Sequence, residues 1–495
     1  MATPAARVPP AGDADPLPRT RTAPPVPPVP PVRDVRDGAR PGTLGTRVAQ
    51  RIEDEIVRSG WPVGRNLGSE QRLQDRYGVS KSVLREAVRL VEHHGAARMR
   101  RGPGGGLFVT APDVAPAARA MVTYLDYVGT TVDDLIDARL LLEPRAVVLA
   151  SERLTEDGVR RLRGLLEQES RRRTEPGIWS QDPVHTALCE LSGNPVLLAF
   201  TEVLTRLTDR YAHTARRKSK AEAVRNKKAA GRSHAAIVDA VIAGDTGPAC
   251  AVMTEHLRET AGWLKRNRPG AAGPLPWQLL EAPGAKLSEL VAARIQDAVA
   301  ADGWPVGALL GSEADLMDRY GTSRAVLREA VRLLEHHGVA RMRRGPGGGL
   351  RVTAPDPAAS IDSLALYLGY RRAGAEHLRT VREAIELGAL GPVTARRREP
   401  EAAGRLEAAA REAPPARFHD ALVHLAGNPV LTLFLRILSE LRRRQAGADA
   451  PPGPAADAQD VREAAHREVV AAVLAGDVSL ARHRVRRDLA ACPAW

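Results

Sequence analysis

The chain carries one short unit twice. Residues 61–113 and 304–356 align without a gap, and 42 of the 53 aligned positions are identical. The two copies lie 243 positions apart and share the stretches LREAVRL and RRGPGGG. A basic unit repeated in one polypeptide predicts two similar targets held at a fixed separation. A DNA site with two half-sites is the leading candidate for such a target.

The composition narrows the class of partner. With 495 residues the chain is long enough for two to four domains. Its 72 basic and 59 acidic residues give a net charge of +13, which favours a polyanionic partner. Aromatic residues make up only 3%, so the chain has little material for stacking single-stranded bases. No apolar run reaches the roughly 18 residues of a membrane-spanning helix, and no secretory signal is expected. Three cysteines without a CxxC pair, Cys189, Cys250 and Cys492, are typical of core thiols in a cytosolic protein.

Proline- and glycine-rich stretches divide the chain. Residues 1–43 contain PPVPPVPPV, which can form neither a helix nor a strand ladder, and they predict a disordered tail. Residues 268–286 form a second such stretch, which predicts a linker between two halves. Each half then consists of a basic unit followed by a unit dominated by helical periodicity. The first and second basic units are 44–113 and 287–356, and the first and second helical units are 114–267 and 357–495.

The first basic unit has the local signals of three helices and a hairpin. One apolar stripe on the first helix is formed by Leu44, Val48, Ile52 and Ile56. Ser69 begins a short second helix, and Gly78 supplies the turn after it. Ser80 caps a third helix, which Gly95 closes. Two helices joined by a glycine-containing turn form a helix-turn-helix, and the stretch ARMRRGPGGGLFVT predicts a two-strand wing.

The first turn of the third helix carries polar groups that suit base recognition. The side chains expected to point outward are Ser80, Lys81, Ser82 and Arg85, with Arg100 and Arg101 at the wing tip. A recognition helix meets base edges with its N-terminal residues, and arginine reads guanine through two hydrogen bonds. The alternative is that these are solvated surface side chains. The glycine-rich turn GPGGG lacks the Gly-Lys-Ser/Thr of a phosphate-binding loop, so we do not expect an NTPase.

These residues resemble a known family. The pattern LGSEQRLQDRYGVSKSVLREAVRLVEHHG, followed by RRGPGGGLFV, is similar to the winged helix-turn-helix of GntR-type bacterial repressors. The region after it resembles the all-helical FCD domain of the FadR subfamily. Its markers are Arg139 with Glu143, the stretches SQDPVHTALCELSGNP and HAAIVDAVIAGD, and EHL, and the first marker recurs as Arg382 with Glu386. The resemblance implies a mainly α fold: two winged helix-turn-helix domains, each of three helices and a two-strand wing, and an all-helical FCD-type bundle after each.

The resemblance implies which residues contact DNA. In the first basic unit they are Gln71, Ser80, Lys81, Ser82, Arg85, Arg101 and Gly102. In the second they are Ser323, Arg324, Arg328, Arg344 and Gly345. Ala314 and Ala325 stand where the first unit has Gln71 and Ser82. We therefore expect the second unit to make fewer contacts or to accept a different half-site, at roughly 1–3 kcal/mol of base discrimination for each lost contact.

The resemblance also implies a metal site and an effector pocket. In the first helical unit the implied ligands are Asp182, His185, His234 and His256, which suit a divalent metal of the Zn or Ni type. The family position four residues before His185 holds Gln181, so Asp182 could instead cap a helix. A second, weaker set is His419, His466 and Asp488, where Pro415 has replaced the first ligand. A small carboxylate effector is implied beside Arg139 and Arg382.

As a whole, the resemblance implies an effector-responsive transcriptional regulator, usually a repressor, bound to a double-stranded operator at the nucleoid in the bacterial cytoplasm. An architectural DNA-binding protein with vestigial sensing domains is the alternative. A metalloenzyme is disfavoured because no carboxylate base accompanies the histidines, so no enzymatic activity is expected. The two halves of one chain are expected to pair as an intramolecular pseudo-dimer, and pairing of two chains into a homodimer is the other arrangement.

Overall fold

The computed structural model of the chain describes residues 44–172, 183–218, 220–267, 287–345, 347–411, 416–446 and 456–491. The predicted tail, the predicted linker and the candidate ligand Asp182 lie outside the described residues. The described chain is mainly helical, with one small antiparallel sheet in each basic unit, which confirms the predicted fold class. Among the described residues, no helix has both the length and the apolar character needed to cross a lipid bilayer.

Both basic units have the same order of helices. The first contains α1 (Leu44–Arg58), α2 (Glu70–Tyr77), α3 (Lys81–His93), β1 (Ala97–Arg100) and β2 (Gly106–Val109). The second contains α11 (Leu287–Ala301), β3 (Leu309–Gly311), α12 (Glu313–Tyr320), α13 (Arg324–His336), β4 (Ala340–Arg343) and β5 (Gly349–Val352). The predicted stripe on α1 is confirmed, because Val48, Ile52 and Ile56 are fully buried in the core of the first unit.

Local side chains set the helix boundaries as the sequence predicts. The Ser69 hydroxyl accepts a hydrogen bond from the Arg72 amide at 3.3 Å, which caps α2. Gly78 then ends α2 with φ at 64°, a left-handed conformation that favours glycine. The Ser80 hydroxyl accepts from the Val83 amide at 3.5 Å and caps α3.

One wing differs from the prediction of two strands. β1 pairs with β2 alone, whereas β5 pairs with both β4 and β3. The sequence explains the third strand, because Leu309 stands where the first unit has Asn66. The Asn66 side chain accepts a hydrogen bond from the Gly68 amide at 2.9 Å, and only an isolated bridge from Asn66 to Phe108 forms there.

Each helical unit contains seven described helices. In the first they are α4 (Val114–Tyr127), α5 (Val132–Glu152), α6 (Glu156–Arg172), α7 (Pro183–Leu191), α8 (Pro195–Lys218), α9 (Lys220–Ala243) and α10 (Thr246–Asn267). In the second they are α14 (Ala358–Tyr370), α15 (Ala375–Ala395), α16 (Pro400–Arg411), α17 (Ala416–Leu425), α18 (Pro429–Ala446), α19 (Ala456–Ala475) and α20 (Val478–Ala491).

The two helical units share one hydrophobic core. Its main contributors are α4, α5 and α8 from the first unit and α14, α15 and α18 from the second. Within this core the rings of Phe200 on α8 and Phe434 on α18 stack with centroids 3.9 Å apart. The two halves of the chain are therefore joined through apolar packing.

A short Gly-Asn-Pro motif in each half both begins a helix and bridges the halves. Asn194 caps α8 by accepting from the Val196 amide at 2.9 Å, and its side-chain amide donates to the carbonyl of His377 in the other half. Asn428 repeats this role at the start of α18. It accepts from the Val430 amide at 3.0 Å and donates to the carbonyl of Asp134 at 2.9 Å.

Each basic unit packs on the helical unit of the other half. Trp61 of the first basic unit contacts the ring of Tyr370 on α14, with centroids 5.4 Å apart. Trp304 of the second basic unit contacts Tyr127 on α4 at 5.6 Å. Both tryptophans have positive φ, 54° and 56°, a strained conformation for a residue with a large side chain. Each half of the chain therefore supports the basic unit of the other half with its helical unit.

Largely buried ion pairs lie at the same two junctions. Arg444 on α18 pairs with Glu53 on α1 at 3.3 Å and with Asp362 on α14 at 3.2 Å. Arg210 on α8 pairs with Asp297 on α11 at 3.5 Å and also with Asp126 on α4. Each arginine thus links a basic unit to the helical unit of the opposite half.

Candidate functional site

The two recognition helices, α3 and α13, present their first turns to solvent. Leu84, Ala87 and Val91 anchor α3 in the core of its unit, while Lys81, Ser82 and Arg85 are exposed on the other side. On α13 the exposed residues at the matching positions are Arg324, Ala325 and Arg328. Ser80 and Ser323 are exposed as well, although each hydroxyl also caps its helix.

A carboxylate from the preceding helix holds Arg85 on α3 and Arg328 on α13. Glu70 at the start of α2 accepts from Arg85 Nε at 2.8 Å, and Glu313 accepts from Arg328 Nε at the same distance. Both arginine side chains are about 60% exposed, so the pairs orient the guanidinium groups without burying them. The repeated geometry places Arg85 and Arg328 at equivalent points on the outer surface of the two basic units.

The wing tips need their glycines. Gly102 and Gly345 have φ of 98° and 97°, and both are exposed beside Arg101 and Arg344. At Gly105, an added Cβ would lie 2.5 Å from the carbonyl oxygen of Arg100, which is too close for any side chain. The GPGGG stretch of the first unit therefore makes a tight hairpin, which is a different setting from the strand-to-helix loop of a nucleotide-binding protein.

The exposed surface around α12 and α13 in the second basic unit carries fewer polar side chains than the matching surface of the first basic unit. Gln71 is exposed on α2 and donates to Asp75 at 3.0 Å, whereas the matching Ala314 has no polar side-chain atom. Ser82 lies 3.0 Å from Ser80 through their hydroxyl oxygens, and the matching Ala325 removes that group too.

The first helical unit brings three imidazoles together. His185 on α7, His234 on α9 and His256 on α10 are all buried, and their potential ligand atoms lie within 4.8 Å of one another. The Nε2 atoms of His185 and His256 are 3.2 Å apart. Carboxylates face the Nδ1 atoms of two of these rings, Glu143 at His185 and Glu169 at His234. Imidazoles oriented by carboxylates are the usual donors of a zinc-type site, so these residues fit a divalent metal.

Arg139 lies beside the imidazoles in a buried network. Its guanidinium donates to Glu143 and, at 3.1 Å, to the hydroxyl of Thr208, and it lies 3.3 Å from Nδ1 of His185. Burial raises the pKa of Glu143, but the charges of Arg139 and His185 outweigh burial and hold that pKa at about 2. Glu143 is therefore ionised at neutral pH, as an acceptor for both neighbours.

The second helical unit has a different cluster at the equivalent place. His419, His466 and Asp488 are buried and also lie within 4.8 Å of one another through their potential ligand atoms. Asp488 is 3.2 Å from His419 and 3.4 Å from His466, and Glu386 is 2.7 Å from His419 on its other side. Burial lowers the pKa of His419, but Glu386 and Asp488 outweigh it and raise that pKa overall. Carboxylates can thus balance a proton on His419 here.

Sequence reasoning found the histidines but missed their partners. Glu143 was visible only as a helix marker, and Thr208 and Glu169 carried no recognisable signal. Glu70 lies fifteen residues before Arg85, and no sequence pattern identified it as the partner of that arginine. Arg382 is buried and paired with Glu386, as Arg139 is with Glu143.

The chain has the architecture of a DNA-binding transcriptional regulator. It presents two exposed recognition helices, each beside a wing with glycines at its tip, and its two helical units enclose the histidine clusters. The chain belongs to the gntR family of bacterial regulatory proteins. The family model described as "Bacterial regulatory proteins, gntR family" matches residues 44–109 and 287–351, and the model of the FCD domain matches 134–259 and 359–491. Members of this family are transcription factors, so the chain is a regulator and not an enzyme.

Curated relatives align with less than half of the chain. The HTH-type transcriptional repressor NanR of Enterobacter sp. (strain 638) is 25% identical over 225 residues, which cover 44% of this chain and 85% of the relative. The putative L-lactate dehydrogenase operon regulatory protein of Escherichia coli (strain K12) is 29% identical over 240 residues, which cover 46% and 88%. Among solved structures, Streptococcus agalactiae GntR is 22% identical, with a TM-score of 0.33 and coverage of 44% of this chain and 99% of that one.

Proposed function

We propose that this chain is an effector-responsive repressor of the FadR subfamily that binds one operator with its two halves acting as an intramolecular pair. The observation that carries the proposal is the core shared by the two helical units, which includes Phe200 and Phe434. A pair of chains normally supplies two recognition helices to a palindromic site. In this chain both helices are covalently linked, and we place the protein at the nucleoid in the bacterial cytoplasm.

The operator of this proposal has two unlike half-sites. Lys81, Ser82 and Arg85 read the first, with Gln71 and the wing residues Arg101 and Gly102 beside them. Arg324 and Arg328 read the second, with Ser323, Arg344 and Gly345. Because Ala314 and Ala325 offer no hydrogen bond, the second half-site is read less strictly, by roughly 1–3 kcal/mol for each missing contact.

The first helical unit is the proposed sensor. His185, His234 and His256 would hold a divalent metal of the Zn or Ni type, which would supply a Lewis-acidic position for a small carboxylate. Arg139 adds a positive charge beside that position, and Glu143 fixes both Arg139 and His185. The second cluster, His419, His466 and Asp488, serves as a charge-balanced part of the scaffold near Arg382.

The contacts along α8 support a response to the effector. Arg139 donates to Thr208, and Arg210 stands two residues further along the same helix. Arg210 in turn pairs with Asp297 of the second basic unit. A ligand that changes the partners of Arg139 would therefore act on α8 and shift the position of the second recognition helix.

Selection of bound duplexes from a random DNA pool tests the proposal. We expect wild type to select an imperfect palindrome, with Arg85→Ala relaxing one half and Arg328→Ala the other, each by roughly 5- to 150-fold in discrimination. Arg58→Ala, on the exposed end of α1, is the charge-matched control and should leave the motif unchanged.

Three results would contradict parts of this proposal. Protection of one symmetric site by two chains would replace the intramolecular pair with a homodimer. Equal relaxation of both halves by either variant would show that the recognition helices do not divide the site. Operator affinity that stays constant across a panel of small carboxylates, with Zn²⁺ or Ni²⁺ present, would favour the architectural alternative.

A further inference from the structure

The two helical units differ sharply in charge just before their second cluster histidine. Residues 216–232, which end two positions before His234, contain eight basic residues and one acidic residue. Residues 448–464, which end two positions before His466, contain one basic residue and four acidic residues. The scaffold is duplicated but this charge is not, so the shared fold does not account for it.

Three of these basic side chains form one face of α9. Arg225, Lys228 and Arg232 are exposed and recur at spacings of three and four residues, so they share a side of the helix. α9 also buries Ala223, Val238 and Val241 in the core. We call Arg225, Lys228 and Arg232 the basic face. It extends about 10 Å along α9.

Within the described residues, no acidic side chain neutralises the basic face. None of its three residues forms an ion pair with another residue in the described part of the chain. Some exposed arginines on other helices are paired: Arg160 pairs with Asp157 on α6, and Arg405 pairs with Glu401 on α16. Unpaired like charges on one helix repel one another, so the basic face favours binding of a polyanion.

The helix that precedes α9 contacts the second basic unit. Arg210 on α8 contacts Asp297 of α11, and residue 216 follows six positions later, about 9 Å further along the helix. α9 then returns beside α8, since its His234 lies in the cluster with His185, next to Arg139 and Thr208. The basic face is therefore carried by the helix that follows the segment of α8 in contact with the second basic unit.

We propose that the basic face contacts the DNA backbone that flanks the second half-site. This inference rests on the proposed function, since it requires the second basic unit to be bound to an operator. The occupant is double-stranded DNA because its phosphates complement three unpaired cations and are already held nearby. These contacts compensate for the polar groups that Ala314 and Ala325 lack, and they carry no sequence information of their own.

The test compares two lengths of the duplex that the wild-type protein selects from a random pool. One ends at the edges of both half-sites, and the other continues by about ten base pairs on each side, roughly one helical turn. The variant carries Arg225→Gln, Lys228→Gln and Arg232→Gln. The control variant carries Arg398→Gln, Arg405→Gln and Arg411→Gln, exposed arginines of the second helical unit, and removes the same charge.

On the long duplex we expect the variant to bind at least about ten-fold more weakly at roughly 0.15 M salt, and its log Kd against log salt to lose roughly 2–3 units of slope. On the short duplex it should match wild type, and the control should match wild type on both. Protection of the flank beside the second half-site should also disappear in the variant.

Equal weakening by variant and control, or a loss that does not depend on duplex length, would overturn the inference while leaving the proposed function intact. The inference would also be overturned if the variant bound the long duplex as tightly as the wild-type protein does. A wild-type protein that selects no duplex would instead remove the proposed function, and this inference with it. Circular dichroism of both variants checks that a loss of binding is not a loss of fold.

Discussion

At the scale of single residues, an arginine–glutamate pair has different effects when it is exposed and when it is buried. Arg85 and Glu70 form an exposed pair worth about 1 kcal/mol or less, so its effect is to orient a side chain. Arg139 and Glu143 form a buried pair, in which removing one partner strands a charge at a cost of roughly 3–5 kcal/mol. Burial therefore decides whether an arginine is available to DNA or committed to the core.

The histidine clusters give the residue-scale prediction. We expect metal-stripped protein to bind one Zn²⁺ or Ni²⁺ per chain tightly, because His185, His234 and His256 supply three imidazoles whereas the second cluster supplies two. His256→Ala should weaken that binding by more than about 100-fold, beyond the usual effect of an outer-shell residue. Isothermal titration calorimetry measures both the stoichiometry and the affinity.

His466→Ala is the matched control, since it removes a buried histidine of the second cluster. It should leave the tight site intact. Two equivalent sites in wild type, or loss of the tight site in His466→Ala alone, would show that the assignment to the first helical unit is wrong.

At the scale of secondary-structure elements, α8 and α18 connect the halves crosswise. Each carries a largely buried arginine in its C-terminal half, Arg210 or Arg444, that reaches the first helix of the opposite basic unit. The surroundings differ, because Arg444 also pairs with Glu440 of its own helix. The arrangement makes each basic unit depend on a helix that is distant in sequence.

Substituting these arginines tests the crossed arrangement. Arg210→Met should increase amide hydrogen exchange in α11 and leave α1 unchanged, because the ion pair between Arg210 and Asp297 is lost. Arg444→Met should do the reverse, since Glu53 then loses one. Hydrogen-exchange mass spectrometry resolves the two helices, and increased exchange in the basic unit of the same half would refute the crossing.

At the scale of the whole molecule, the two helical units behave as one body because their cores are continuous. Phe200 and Phe434 stack across the junction, and Asn194 and Asn428 each donate a hydrogen bond to the opposite half. Separating the halves would expose this apolar surface to water. The duplication thus yields two helical units joined by one continuous apolar core.

Phe434→Ala tests this continuity. We expect it to lower the free energy of unfolding by about 3–5 kcal/mol and to reduce exchange protection in both α5 and α15. Phe418→Ala is the control, because Phe418 packs in a core confined to the second helical unit. Loss of protection in α15 alone after Phe434→Ala would mean that the halves unfold independently.

Local features of the fold followed from the sequence. The capping serines, the turn glycines and the apolar stripe of α1 act through neighbours a few residues away, so their pattern is sufficient to predict them. The two-strand wing was predicted correctly for the first unit. The extra strand β3 was not, because Leu309 pairs with Arg351, which lies about forty residues further along the chain.

The sequence by itself determined a duplicated, basic, mainly helical protein with two recognition helices and two sets of histidines. Tertiary structure decided which half supports which basic unit, because Glu53 and Arg444 are 391 residues apart and no periodic pattern links them. It also decided the partners of the buried arginines, Glu143 and Thr208 among them, since burial and the approach of separate helices set the energy of a charge. Local patterns encode local hydrogen bonds, whereas contacts between distant helices depend on how whole apolar surfaces pack.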